Sequence, residues 1–184
     1  MNIRILLVGG YLQSGKDLAA DYICKKYGFE RFAFADCLKD EVSEFFGINR
    51  QSLDTGSLYD NGETVRDLLI RYGDEKRKDD QAYWIKKVIR KIEGKRSDQV
   101  VIPDFRYPEE YHFCKEHFSS GLISTMKFYR YDYPKRTDPS ETSLENFPFD
   151  YYINNQKDIY NFYTDTNSFP LCNYQPSKNT WEKT

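Results

Sequence analysis

The chain has 184 residues, of which 30% are charged, and a net charge of −2. That length fits one domain with a sizeable core, and the slightly acidic balance excludes a global pull toward nucleic acid or an anionic membrane, so any basic site must be local. The four cysteines, Cys24, Cys37, Cys114 and Cys172, form no C-x-x-C pair and have no histidine at ligand spacing, which excludes a zinc motif or a disulfide framework and fits reduced thiols in a cytosol-like compartment.

The apolar run Ile3 to Gly9 reads as a buried parallel strand. It is short and passes straight into a glycine loop, so it is expected to be a core strand rather than a signal peptide. No later run is long enough to span a bilayer, and the expectation is a soluble, cytoplasmic protein without membrane contact.

The loop is Gly10-Tyr11-Leu12-Gln13-Ser14-Gly15-Lys16-Asp17, and a helix is expected over Leu18 to Tyr27. Strand, glycine loop and helix make a phosphate-cradling unit. Glycines at 10 and 15 let the backbone curl until successive N–H groups point inward at the start of the helix. Lys16 adds a full charge, and Asp17 stands where a magnesium-binding hydroxyl is usual. An ordinary βα turn is the bland alternative.

Glu30 to Ala35 alternates like a second strand, and Asp36, Leu38 and Lys39 open a helix running to about Gly47. Asp36 and Lys39 would then stand at a strand's carboxyl end, where open α/β sheets hold ligands; equally, Asp36 is an N-cap and Lys39 a solvated helix residue. Residues 48–61 are rich in turn formers and read as a loop. Glu63 to Tyr72 and Gln81 to Ile92 carry helical apolar stripes, so a helical insertion over about 37–93 is expected to close over an acceptor. Its basic residues Arg71, Lys76, Arg77 and Lys78 read mostly as a solvated face.

Gln99 to Asp104 is a third strand, with Phe105-Arg106 behind it. Asp104 is placed either to support magnesium opposite the glycine loop or to cap the helix that begins near Pro108, and Arg106 to clamp a phosphate oxygen. His112 and His117, five apart on that helix, do not share a face as a metal pair would. Met126 to Tyr131 alternates as a fourth strand. The Pro-broken stretch after it makes residues 131–147 a lid, with Arg130, Lys135 and Arg136 as closing cations or plain loop charges. Phe149 to Asn154 is a fifth strand, Gln156 to about Thr164 a short helix, and 165–184 a loosely held tail.

In this order, Ser14-Gly15-Lys16-Asp17, Phe34-Ala35-Asp36 with Leu38-Lys39, the Arg66 helix ending in Arg71 to Arg77, Tyr83-Trp84, Asp104-Phe105-Arg106, Ser140-Glu141 and Phe149-Asp150-Tyr151 with Asn154 resemble bacteriophage-type deoxynucleoside monophosphate kinases. The resemblance implies an α/β fold of the P-loop NMP kinase-like kind, a three-layer sandwich with a five-stranded parallel sheet and helices on both faces, in a single domain over 1–184. It implies transfer of the ATP γ-phosphoryl group to a deoxynucleoside 5′-monophosphate. By carry-over, Gly10, Gln13, Ser14, Gly15, Lys16, Asp17, Leu18 and Arg136 would hold ATP, Asp17 and Asp104 Mg²⁺, and Asp36, Lys39, Arg66, Arg77, Trp84, Arg106 and Glu141 the acceptor, with Trp84 stacking a base. Lys16, Asp17, Asp104 and Arg106 would act in catalysis. A small-molecule substrate is implied, with no stable nucleic-acid partner and a homodimer open.

Two positions depart from that family: Leu18 replaces a threonine and Asp138 a histidine. Animal-type phosphomevalonate kinases are similar in the Leu-Lys pair, the Gly73 to Arg77 stretch and the Ser-Glu pair. A kinase of hydroxymethylated bases in phage DNA and a nucleotide-switched binding module are the remaining alternatives.

Overall fold

The computed structural model describes residues 3–55, 58–60, 62–129 and 139–155, with the side chains of 58–60, 140 and 141 outside the description. Its main sheet is built from β1 (Arg4–Gly10), β2 (Glu30–Arg31), β5 (Gln99–Phe105), β6 (Leu122–Tyr129) and β7 (Tyr151–Asn154), all paired in parallel in the order β2-β5-β1-β6-β7. The two remaining strands, β3 (Leu58–Asp60) and β4 (Glu63–Thr64), form a separate antiparallel ribbon, where the sequence predicts loop up to residue 61 and helix from Glu63. The helices are α1 (Lys16–Tyr27), α2 (Phe34–Phe46), α3 (Val65–Asp79), α4 (Tyr83–Lys95), α5 (Pro108–His117) and the single turn α6 (Pro139–Thr142).

Strand side chains alternate between two cores, as the period of a strand requires. Leu6 and Val8 of β1, with Val101, Met126 and Phe128, pack on Ala19, Ala20 and Ile23 of α1. Ile5 and Leu7, with Val100 and Ile102, pack toward α2, α3 and α4 through Phe34, Leu68, Trp84 and Ile85. Helices therefore cover both faces, which is the expected three-layer α/β architecture. Among the described residues, no helix is long and apolar enough to cross a membrane.

Several boundaries differ from the sequence reading. The second strand is only Glu30–Arg31, because Phe34 already belongs to α2. α3 continues past Gly73 to Asp79, and there the glycine allows the Leu38 side chain to approach within ordinary contact of where a Cβ would be, 3.4 Å. β6 starts four residues earlier than expected, at Leu122. The predicted helix after Gln156 and the tail lie outside the described residues.

One carboxylate ties the helical insertion together. Glu41 of α2 accepts hydrogen bonds from Tyr72 Oη of α3 at 2.9 Å and Tyr83 Oη of α4 at 2.8 Å, and pairs with Lys87 Nζ of α4 at 2.5 Å. Burial would push its carboxyl up, but the hydrogen bonds from Lys87, Tyr83 and Tyr72 outweigh that and hold it below the ordinary range. Its contribution is therefore present at neutral pH and lost as pH falls through the folded value. Glu41→Ala should lower stability by about 2–3 kcal/mol, since it strands two hydroxyls and a cation, and Glu41→Gln by less. Urea unfolding at pH 7 measures both, and a loss below about 0.5 kcal/mol for Glu41→Ala would contradict this role.

Candidate active site

The sheet order places β1 between β5 and β6, so the chain leaves β1 to one side and returns to the other. Open sheets hold ligands at such a switch, beyond the carboxyl ends of the strands. In the ladder Gly9 stands opposite Phe105 on one side and Gly10 opposite Phe128 on the other, which sets the loop after β1 beside the segment after β5.

The loop has the shape its glycines predict. Gly10 has φ +146°, and a Cβ there would fall 2.4 Å from Phe128 O and 2.7 Å from Ser14 Oγ. Gly15 has φ +97° and is the residue before α1, whose first residue is Lys16. Ser14 N–H donates to Tyr11 O at 3.1 Å, and Lys16, only 7% exposed, folds its Nζ back onto the same carbonyl at 3.1 Å. Ser14 Oγ is buried without a hydrogen-bond partner among the described residues. An orphaned hydroxyl, a buried lysine and a helix start with left-handed glycine geometry fit a phosphate chain. Leu18 is half exposed on the outer side of α1.

A cavity of about 430 Å³ lies between the start of α2, α3, Pro139 and the carboxyl end of β5, the strand paired with β1; none of its lining residues comes from the loop itself. Lys39, Arg66, Arg77 and Arg106 all line it, over an apolar wall that includes Leu38, Leu53 and Leu69. The chain thus brings together cations separated by up to 67 positions, between Lys39 and Arg106. Their neighbours were not expected. Lys39 Nζ pairs with Asp54 at 2.5 Å, and Arg77 pairs with Asp74 at 3.2 Å while its guanidinium lies over the Tyr107 ring at 4.7 Å. Arg66 makes no hydrogen bond or ion pair among the described residues.

Other predicted residues are placed differently. Asp17 is 65% exposed and pairs with Arg31 at 2.7 Å. Asp104 gives both oxygens to backbone amides at the start of α2, Phe34 N–H at 3.1 Å and Ala35 N–H at 2.7 Å. It is a helix cap, but of α2 rather than of the helix at Pro108. Burial pushes its carboxyl up against the pull of those two amides. Asp17 and Asp104 therefore have separate partners, and among the described residues no three acidic, histidine or cysteine side chains gather as a metal cluster. Asp36 is bound to Arg50 at 2.9 Å and does not line the cavity. Arg50 also holds Asp40 and Asp54, fastening the short 3-10 turn Arg50–Asp54 to α2.

Trp84 is a correction: its ring is 2% exposed, with Nε1–H donating to Gly73 O at 3.1 Å. It is floor under the cavity, not an open stacking surface. His117 pairs with Glu93 at 2.9 Å, away from the cavity lining. Arg130, Lys135 and Arg136 lie outside the described residues, as does the side chain of Glu141.

The sequence reading missed Glu110. It is 3% exposed, lines the cavity, and accepts Arg106 N–H at 2.8 Å and Tyr107 N–H at 3.2 Å. Its signal was present as the third helical residue after Tyr107, following Pro108 at the helix start.

A glycine loop after the first strand of a parallel sheet, and a cation-lined cavity at the carboxyl end of the neighbouring strand, are features that a kinase of small phosphorylated molecules would need. A family described as phosphomevalonate kinase matches residues 8–120, more than half of the chain, and the chain belongs to that family. Among solved structures it is similar to dephospho-CoA kinase from Campylobacter jejuni, with a TM-score of 0.42 and 14% identity over 90% of this chain and 94% of that one.

Glu110 titrates at about 8 in the fold against an ordinary value of 4.5, mainly through burial and, to a lesser degree, Asp104, with the two backbone amides and Arg77 opposing. Cys114, one turn on, is pushed up to about 12, chiefly by burial. Between 4.5 and 8 the unfolded chain has given up a proton that the folded chain keeps, so stability falls as pH rises through that window. Glu110→Gln keeps an accepting oxygen and removes the titration. Urea unfolding at pH 5 and at pH 8.5 should show the wild type losing on the order of 4 kcal/mol more than the variant over that interval.

Proposed function

We propose that this chain transfers the γ-phosphoryl group of ATP to the phosphate of a deoxynucleoside monophosphate bound in the cavity. The convergence of Lys39, Arg66, Arg77 and Arg106 on one small cavity at the carboxyl end of β5, the strand paired with the one that leads into the glycine loop, carries the reading. An acceptor phosphate oxygen attacks the γ-phosphorus, the bond to the β,γ-bridging oxygen breaks, and ADP and a nucleoside diphosphate leave. No covalent enzyme intermediate is required. Because several negative charges meet at one phosphorus, the protein's work is alignment and charge neutralisation. Lys16 and the loop amides serve the ATP phosphates, and Arg66 and Arg106 serve the acceptor phosphate. Magnesium would arrive on the nucleotide, held chiefly by phosphate oxygens and water as is usual for this ion.

The family's name favours a second reading, in which the acceptor is phosphomevalonate. Both acceptors are phosphate monoesters, and the matched residues 8–120 include the cavity's four cations. The side chains beside those cations support the nucleotide. Asp54 and Asp74 already neutralise Lys39 and Arg77, so an acceptor with a second anionic group must compete with them. A nucleobase offers N–H donors that such carboxylates accept.

The deciding assay incubates the protein with MgATP and, separately, each deoxynucleoside monophosphate and phosphomevalonate, following ADP release. Turnover with one or more nucleotides is expected. Turnover with phosphomevalonate alone would transfer the assignment to the second reading, and none with any acceptor would remove both. Within that assay, Lys16→Ala should lower kcat by about 10²-fold or more without unfolding the chain. Arg66→Ala should raise KM for the acceptor roughly tenfold and leave KM for ATP unchanged.

A further inference from the structure

The carboxyl end of the last described strand lies against the glycine loop. β7 pairs with β6 so that Asn154 stands opposite Tyr129, and the next residue, Asn155, donates its backbone N–H to Tyr129 O at 3.0 Å. The ladder thus delivers Asn155 to a fixed place. From there its side-chain Nδ2 donates to Ser14 O at 2.8 Å, joining residues 141 positions apart. A Cβ on Gly15 would fall 2.3 Å from the same nitrogen. Gly15 is therefore glycine twice over, once for its φ of +97° and once for the space that Asn155 fills.

A trans peptide is planar, with its C=O and N–H pointing in opposite directions. Fixing Ser14 O toward Asn155 turns the N–H of Gly15, the other half of that peptide, away from Asn155. Among the described residues that N–H has no acceptor and Ser14 Oγ beside it, buried, has no partner. A carbonyl that swung freely could point its oxygen toward the phosphates instead, presenting negative potential to an anion.

We infer that Asn155 is a positioning residue that locks the Ser14–Gly15 peptide with its N–H aimed at the bound triphosphate. The affinity for ATP then depends on a side chain outside the loop, at the far end of the sheet's chain order. This rests on reading the loop as the ATP site.

The test is calorimetric titration of the whole chain with MgATP, for wild type, Asn155→Ala and Asn155→Asp. Loss of the lock should weaken ATP binding about tenfold in Asn155→Ala. Asn155→Asp should weaken it further, because the isosteric carboxylate has no donor and adds negative charge near the triphosphate. KM for the acceptor should stay at its wild-type value in both, and thermal midpoints without ATP should lie within a few degrees of wild type. A purely structural role predicts the reverse order, with the isosteric variant the milder one and no selective change in ATP binding. Wild type that binds ATP alongside variants that bind it equally well overturns the inference alone. Wild type that does not bind ATP overturns the reading of the loop, and the inference with it. Unfolding of both variants would assign Asn155 to the fold and overturn the inference as well.

Discussion

The pairing of β1 between β5 and β6 is the constraint on which the rest depends. Once Gly9 is fixed opposite Phe105 and Gly10 opposite Phe128, the loop after β1 has no freedom of position, only of shape. Its shape then follows from close packing. Phe128 O and Ser14 Oγ occupy the space beside Gly10, and Phe149 lies 3.0 Å from where a Cβ on Gly9 would be. Parallel pairing also requires long crossovers, and the crossover between β2 and β5 is where α2, α3 and α4 are housed. The cavity is the space left between that crossover and the strand ends.

Gathering cations in such a cavity is costly before any anion arrives, since like charges repel and each must lose water. The structure offsets that cost locally. Asp54 and Asp74 sit on Lys39 and Arg77, the Tyr107 ring accepts the Arg77 cation, and Arg50 is shared by Asp36, Asp40 and Asp54. The pairs are mostly solvent-facing, so each contributes little to stability. Their larger effect is to hold the long side chains extended into the cavity and to set a threshold: an entering phosphate must be a better partner than the carboxylate already there.

What was legible in the sequence was local. The strand, loop and α1 are encoded within some two dozen consecutive residues, by an apolar run, two glycines and a lysine, and each signal acts on its neighbours. Misreadings came where the deciding partner is distant. Phe32 and Phe34 alternate like a strand, yet Phe34 starts a helix because Asp104, 70 positions away, accepts its amide. Asp17, which the sequence offers as a metal ligand, pairs with Arg31 across the βα unit, a partner that its neighbours in sequence do not announce. Trp84 carries no sign that Gly73 O claims its indole N–H and buries the ring. Turn formers in 48–61 hid a 3-10 turn and a strand of the small ribbon, both too short to show a period.

Asp104 and Glu110 show why a carboxylate at a strand end is a poor guide to metal chemistry by itself. Both lie at or just past the tip of β5, and both accept pairs of consecutive backbone amides: those of Phe34 and Ala35 at the start of α2, and those of Arg106 and Tyr107 at the start of α5. A helix start has N–H groups with no partner inside the helix, and an accepting carboxyl oxygen relieves them. Two helix starts are thereby pinned to one strand end. The same pins carry side chains into the cavity, since Lys39 follows the first and Arg106 belongs to the second. The spacing between those two cations is accordingly set by buried hydrogen bonds to backbone, which hold geometry better than the flexible side chains could by themselves.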